Sequence, residues 1–254
     1  FRFNNADSTM YGLARRNTFD TATFQNFGEL YLAKINTQNG VITQISPNSV
    51  GEGFALAGSA IDPYQMVYYF STGANLVGLD LYTGNVFSDE PMSISNGDYF
   101  DNFTYSCADT ALYGLVRQNF YSYYYDPLFP LDSFPMFDSA TVKLGKINPN
   151  TGVVTTISQN AISMGGYSLN AGAAIDPDAM IYYYSTGANL IGVSMLTGNM
   201  VSSVPFTFED GLYFNLMRNF ENCRSAISMR LNHTTSIFEK SKLEEETLVY
   251  PNPS

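Results

Sequence analysis

The sequence predicts an all-β protein built from repeated, four-stranded antiparallel units, and three observations support this fold class. First, the eighteen residues YYFSTGANLVGLDLYTGN that begin at Tyr68 return 114 residues later, from Tyr182, as YYYSTGANLIGVSMLTGN, with twelve identical positions. Second, segments such as MVYYF and NLVGLDL are rich in β-branched and aromatic residues and are separated by turn residues. Third, no segment keeps a 3.6-residue apolar period, so no amphipathic helix is predicted.

The repeat extends beyond these eighteen residues and divides into smaller units. LAKINTQNGVITQIS from Leu32 returns as LGKINPNTGVVTTIS from Leu144, and AGSAIDP from Ala57 returns as AGAAIDP from Ala171. Units of roughly 45–60 residues with four short strands each are typical of β-propeller blades. We therefore expect four blades, and NFENCRSAISM from Asn219 resembles the start of a fifth.

Each element of a unit has a recurring residue. The small residues of AGSA and AGAA predict the innermost strand, where blades crowd the axis. An Asp ends that strand and is expected to accept hydrogen bonds from the amides of the following turn. A Tyr-centred strand comes next, and a later TG or NG turn needs the positive φ that glycine adopts readily. In chain order these residues are Asp7, Asp62, Asp109 and Asp176, then Tyr11, Tyr68, Tyr113 and Tyr182, then Gly40, Gly84, Gly152 and Gly198.

Composition excludes several function classes. The 254 residues carry 23 acidic and 12 basic side chains, a net charge of −11, so nucleic acid and anionic membrane surfaces are not expected as partners. No apolar run approaches ~18 residues, so no membrane insertion is predicted. The single histidine, His233, lies in a polar stretch and is expected at the surface, which leaves no histidine-based metal site or catalytic triad. No metal ion or cofactor is predicted.

The carboxylates and cysteines also favour structural roles. Asp62 and Asp176 are the obvious candidates for a carboxylate pair, but they occupy equivalent positions, whereas an acid and a base need unlike environments. We therefore predict no catalytic residues. Cys107 and Cys223 lie at the same place in units three and five, one blade apart, which predicts that they are not bonded to each other.

One segment breaks the repeat. Between Asn119 and Ala140 the third unit is about ten residues longer than the first, and eight of the eighteen residues from Phe120 to Phe137 are aromatic. Exposed aromatic side chains on a loop bury much area at low entropy cost, which favours recognition of a protein or glycan; a lid folded over the propeller is the alternative. The predicted binding residues are Phe120, Tyr121, Tyr123, Tyr124, Tyr125, Phe129 and Phe134.

Two family resemblances accompany this pattern. VYYFSTGANLVGLDLYTGNVF resembles the blade consensus of the YVTN and quinoprotein-like β-propellers, whose members include enzymes, adhesins and scaffolds. LVYPNPS, from Leu248 to Ser254, resembles the opening strand of the C-terminal sorting domain of the type IX secretion system of Bacteroidota. The second resemblance implies export by that machinery with the leader removed, release or anchoring at the cell surface, and a longer chain in the gene. Tripeptides such as DST from Asp7 and DTA from Asp109 resemble the O-glycosylation acceptors of exported proteins in those bacteria.

These observations predict a propeller over residues 1–231, a linker over 232–247 and the start of a sorting domain over 248–254. The predicted function is that of a secreted or cell-surface module for binding, adhesion or extracellular assembly. The alternative is an extracellular carbohydrate-active enzyme with its site in the central cavity.

Overall fold

The computed structural model describes residues 2–4, 6–20, 25–52, 56–95, 98–125, 133–165, 172–186 and 188–206. The fifth unit predicted from Asn219, the linker after residue 231 and the segment Leu248–Ser254 lie outside these residues. Within the described part the chain is all-β. No helix there is long and apolar enough to cross a membrane.

The strands form four separate antiparallel sheets that follow one another along the chain, as the repeat predicts. Sheets one and three each add a short fifth strand beside their third strand. Blade 1 contains β1 (Arg2–Asn4), β2 (Thr9–Asp20), β3 (Gln25–Ile35), β4 (Ile42–Gln44) and β5 (Gly51–Glu52). Blade 2 contains β6 (Leu56–Asp62), β7 (Val67–Ser71), β8 (Asn75–Asp80) and β9 (Val86–Pro91).

The second half of the described chain repeats this order. Blade 3 contains β10 (Asp98–Ser106), β11 (Ala111–Tyr125), β12 (Ser133–Ile147), β13 (Val154–Thr156) and β14 (Ser163–Gly165). Blade 4 contains β15 (Ala173–Asp176), β16 (Ile181–Ser185), β17 (Asn189–Ser194) and β18 (Met200–Pro205). In each blade the first four strands lie in the sheet in the order of the sequence, which is the meander of a propeller blade.

The first strands of the blades lie together at the centre. Strand β6 contacts β1 and β10, and β10 also contacts β15. The guanidinium of Arg2 donates to the backbone oxygens of Ser59 and Phe103, and so links three inner strands. At Gly58, within the AGSA motif, a Cβ atom would lie 3.1 Å from the backbone nitrogen of Phe103. Only small residues fit such an approach, which confirms the predicted place of this motif.

The hydrophobic core lies between the sheets. One cluster joins blades 1 and 2 through side chains such as Leu32, Tyr68 and Phe70. A matching cluster joins blades 3 and 4 through side chains such as Leu144 and Tyr182. Successive residues of a strand point to opposite faces of its sheet, so a strand between two other blades buries both of its faces. All five residues of β7 are buried for this reason.

The glycines of the TG turns are contacts between blades. A Cβ atom at Gly84 would overlap the backbone of Ser46, and one at Gly198 would overlap the backbone of Ser158, each in the preceding blade. In the same way, a Cβ atom at Gly152 would overlap the carbonyl oxygen of Pro91. The turns therefore require glycine for close packing as well as for a positive φ.

The prediction for the cysteines is wrong at Cys107, which is disulfide-bonded. The sequence has one other cysteine, Cys223, which lies outside the described residues. The prediction assumed that equivalent positions in alternate blades are a blade width apart. Cys107 directly follows the inner strand β10, which contacts inner strands of both adjacent blades. Because Cys107 lies at the inner end of blade 3, where strands of neighbouring blades are in contact, the width of a blade is the wrong measure of distance there.

Candidate recognition hairpin

The aromatic segment of blade 3 is a protruding β-hairpin over most of its length. Strands β11 and β12 stay in antiparallel register from Leu112 opposite Ile147 to Tyr125 opposite Ser133. The prediction of a loop from Phe120 to Phe137 is wrong for residues 120–125 and 133–137, which belong to the two strands. Residues 126–132 lie outside the described part of the chain. The corresponding strands of blade 2 contain only five and six residues, so the extension is not needed to build a blade.

The predicted binding residues fall into three groups. Phe120 is 43 % exposed and Tyr121 is 51 % exposed. The register shifts between these two residues, which marks a β-bulge. The others are placed as follows: Tyr123, Tyr124 and Tyr125 lie on β11, Phe134 lies on β12 opposite Tyr124, and Phe129 lies outside the described residues. The side chains of these five residues lie outside the described part of the structure, and Phe120 and Tyr121 are the predicted binding residues with described, exposed side chains.

A line of polar contacts connects this surface to the inner strand of the blade. Arg117 donates from Nε to Oδ2 of Asp101 at 2.5 Å and from a terminal nitrogen to Oδ1 of Asn119 at 3.0 Å. Asn119 in turn donates to the hydroxyl of Tyr121 at 3.3 Å. The guanidinium also lies over the ring of Tyr99, 4.9 Å from its centre. These contacts hold the base of the hairpin against β10.

Sequence reasoning missed these contacts because Arg117 ends LYGLVR, which repeats MYGLAR from Met10 of blade 1, and so resembled an architectural residue. The signal that could have found it is Asp101, an acidic residue within the aromatic strand segment DYFDNF. Asp101 is only 4 % exposed, and its Oδ1 is buried without a hydrogen-bond partner in the described part of the chain. Burial raises the pKa of Asp101 above its ordinary value of 3.8, and the nearby charge of Arg117 only partly opposes this.

This raised pKa predicts a pH-dependent effect of the substitution Asp101→Asn. The folded protein holds the Asp101 proton to a higher pH than the unfolded chain does. The stability that this proton contributes is therefore complete below about pH 3.8 and is lost as the pH rises through the folded-state pKa. Urea unfolding of both proteins should show the advantage of the wild type over Asp101→Asn shrinking from acidic to neutral pH. A difference that is constant or grows with pH would contradict the burial argument.

Blade 1 has a shorter hairpin of the same kind. Strands β2 and β3 pair from Met10 opposite Ile35 to Asp20 opposite Gln25. Arg16 lies over the ring of Tyr31 at 4.8 Å, and Phe19 is 55 % exposed. Because blades 1 and 3 are copies of one unit, both extensions continue the same pair of strands in the same direction. Each extension thus carries exposed aromatic side chains.

The candidate carboxylates are used within turns. Asp62 Oδ1 accepts hydrogen bonds from the amides of Tyr64 and Gln65, and Asp176 Oδ1 accepts from the amides of the second and third residues after it. Asp109 instead accepts from Lys146 and Tyr113, each at 2.7 Å. Burial raises the pKa of Asp109, but these hydrogen bonds outweigh burial, so its pKa lies below the ordinary value. Among the described residues no group of three His, Cys, Asp or Glu side chains is arranged to hold a metal ion.

No family model and no curated protein matches the sequence. Among solved structures the chain is similar to dipeptidyl peptidase 4 of Porphyromonas gingivalis, with a TM-score of 0.44 and 10 % identity over 81 % of this chain and 32 % of that one. It is also similar to a Bacteroides fragilis protein provisionally assigned as a 6-phosphogluconolactonase, with a TM-score of 0.41 and 11 % identity over 82 % and 56 %. A third is the dihydro-heme d1 dehydrogenase NirN, with a TM-score of 0.34 and 9 % identity over 83 % and 50 %.

The chain thus spans between about a third and just over a half of the length of these three proteins. Similarity at this level carries no argument about what the chain binds or does. The assignment of the fold rests on the four sheets and on the contacts between their inner strands.

Proposed function

We propose that this propeller is a secreted or cell-surface binding module and that the hairpin of β11 and β12 carries its principal contact with a partner. The observation that supports this most is the pair Phe120 and Tyr121, two large aromatic side chains that are about half exposed on an extension that the blade does not need. Isolated exposed aromatics are ordinary, but aromatic groups on a protruding and well-paired hairpin are typical of recognition surfaces.

The hairpin is also held by regular strand pairing and by side-chain contacts at its base. The ladder between β11 and β12 continues through Tyr125, and the contacts of Arg117 with Asp101 and Asn119 fix its base. A surface that is ordered before binding loses little conformational entropy when a partner docks. The partner is a protein or a glycan whose apolar face can stack on the aromatic rings. The net charge of −11 argues against polyanions.

Export by the type IX machinery belongs to the same proposal. It is supported by the motif from Leu248 to Ser254 and by the polar residues before it. Finding the natural protein in the culture medium or on the cell surface, and its retention in a strain without that machinery, is the test. The carbohydrate-active alternative has less support because Asp62 and Asp176 are each engaged by the amides of their own turns.

The binding proposal is tested with a glycan array and with pull-down from extracellular proteins of the host environment. A ligand found with the wild-type chain should be lost by the double variant Phe120→Ser/Tyr121→Ser. Each aromatic hot spot is expected to contribute about 2 kcal/mol, so the combined affinity should fall by several hundred-fold. The melting temperature should change little because both side chains are about half exposed and neither belongs to the core clusters between the blades.

The matched control is Tyr82→Ser. Tyr82 is 72 % exposed in the turn between β8 and β9, away from the hairpin, so this variant should bind as the wild type does. Equal binding by the double variant and the wild type would mean that the contact lies elsewhere. Hydrolysis of array glycans by the wild-type chain would favour the enzymatic alternative.

A further inference from the structure

The junction between blades 2 and 3 shows how one face of an even-numbered blade packs against the odd-numbered blade that follows it. Tyr68 and Phe70 of β7 point toward blade 1, so Val67 and Tyr69 point to the opposite face, toward blade 3. Both are fully buried there, as is Leu76 of β8. Gly152 of blade 3 packs at the edge of this junction against the end of β9.

Blade 3 supplies the other half of that junction. Tyr113 and Leu115 point toward blade 4, which leaves Leu112 on the face toward blade 2. Ile147 is its cross-strand neighbour, and both side chains have no exposed surface. The junction therefore joins a face of three large side chains on blade 2 to an apolar pair and a turn glycine on blade 3.

Blade 4 carries the same face as blade 2, but it is not covered in the same way. The residues 114 positions after Val67, Tyr69 and Leu76 are Ile181, Tyr183 and Leu190. All three are partly exposed, whereas their counterparts in blade 2 are completely buried.

Blade 1 carries the complementary half, also uncovered. Met10 and Ile35, the counterparts of Leu112 and Ile147, are partly exposed cross-strand neighbours. Gly40 has a φ of +72°, close to the +65° of Gly152, but it is exposed, and no described atom lies within 4 Å of the position that its Cβ would take. Gly84, Gly152 and Gly198 are all buried against a preceding blade.

We propose that blade 4 of one copy of this chain docks on blade 1 of a second copy and reproduces the junction between blades 2 and 3. We take the occupant to be a second copy because, within the described residues, one chain presents both halves of a junction and does not bring them together; the unit predicted from Asn219 lies outside those residues. Such a contact is head-to-tail, so it either closes into a ring or continues into a filament. Two copies that close contribute four described blades each, and eight blades are within the usual range for propellers.

The experiment is sedimentation velocity and light scattering of the purified chain over a wide range of concentrations. The wild type should be dimeric at high concentration and dissociate on dilution. Tyr183→Glu places a charge on the open face of blade 4, and Gly40→Asn adds a side chain where the turn of blade 1 must pack closely. Asparagine tolerates positive φ, so the turn itself should form. Each variant should weaken self-association by at least about 30-fold, with an unchanged circular dichroism spectrum.

The control Tyr82→Glu changes an exposed tyrosine of blade 2 and should associate as the wild type does. A mixture of Tyr183→Glu and Gly40→Asn tests the head-to-tail arrangement further. The Tyr183→Glu chain keeps an unchanged blade 1, and the Gly40→Asn chain keeps an unchanged blade 4. One intact junction can then form, so the mixture should give heterodimers although neither variant dimerises alone. A wild-type chain that is monomeric at every concentration, or a dimer that both variants leave intact, would overturn the proposal.

Discussion

The substitution Gly198→Asn is expected to lower the free energy of unfolding by about 3 kcal/mol, and Gly84→Asn should do the same. Both glycines have a φ of +69°, a conformation that asparagine tolerates better than other residues with a side chain. The loss therefore comes from packing. A Cβ atom at either position overlaps the Cα and N atoms of a serine in the preceding blade, and backbone atoms cannot rotate away as a side chain can. Urea unfolding monitored by circular dichroism measures the difference.

Gly40→Asn is the matched control for this effect. The turn is of the same kind and has nearly the same φ, +72°, but no described neighbour meets the added Cβ atom. At a concentration where the chain is monomeric, this variant should stay within about 1 kcal/mol of the wild type. Equal losses in all three variants would show that backbone conformation, and not contact between blades, explains the glycine repeat.

Removing the disulfide should have an effect of similar or greater size. Cys107 is disulfide-bonded, and the only other cysteine of the sequence, Cys223, lies outside the described residues. A bridge between these two cysteines would close a loop of more than 100 residues. Constraining a loop of this length in the unfolded chain corresponds to about 5 kcal/mol in the chain-entropy model. Reduction of the wild type, or the substitution Cys107→Ala, should therefore lower the free energy of unfolding by about 5 kcal/mol.

The two treatments control for each other, because reduction removes the bond but keeps both side chains. Agreement between them within about 1 kcal/mol would assign the loss to the cross-link, since small buried side-chain changes alone have effects of that order. Thiol titration of the denatured, unreduced protein should find no free thiol. Two free thiols, together with a stability that reduction leaves unchanged, would contradict the bridge.

Local chemistry made much of the fold predictable from the sequence. Strand composition, the Asp at or just after the end of each inner strand and the TG turns are short-range features, and they located four blades of the observed strand order. The turn role of Asp62 followed from its position at the end of the inner strand, and it is observed as hydrogen bonds from the amides of the next turn. The small side chains of AGSA predicted the inner strand.

The candidate site was only partly predictable because it depends on pairing between residues that are far apart in the chain. The aromatic richness after Asn119 was visible in the sequence, but whether such a segment forms a loop or continues two strands depends on cross-strand pairing between residues far apart in the chain. The ion pair of Asp101 with Arg117 depends on the register of β10 against β11, which no local pattern encodes. Where the sequence predicted an aromatic loop, the structure therefore shows a paired hairpin with polar contacts at its base.

By itself, the sequence determined the strands, their order within each blade and the number of recognisable units, because these depend on alternation and turn chemistry over a few residues. Tertiary structure alone decided which faces of those units are covered. The four turn glycines look equivalent in the sequence, yet Gly84, Gly152 and Gly198 are buried by a neighbouring blade and Gly40 is not. Likewise, Tyr69 and Tyr183 occupy the same position of one motif, and only Tyr69 is completely buried. Burial of a residue depends on which residues lie across the junction, and only the packing of the blades determines these.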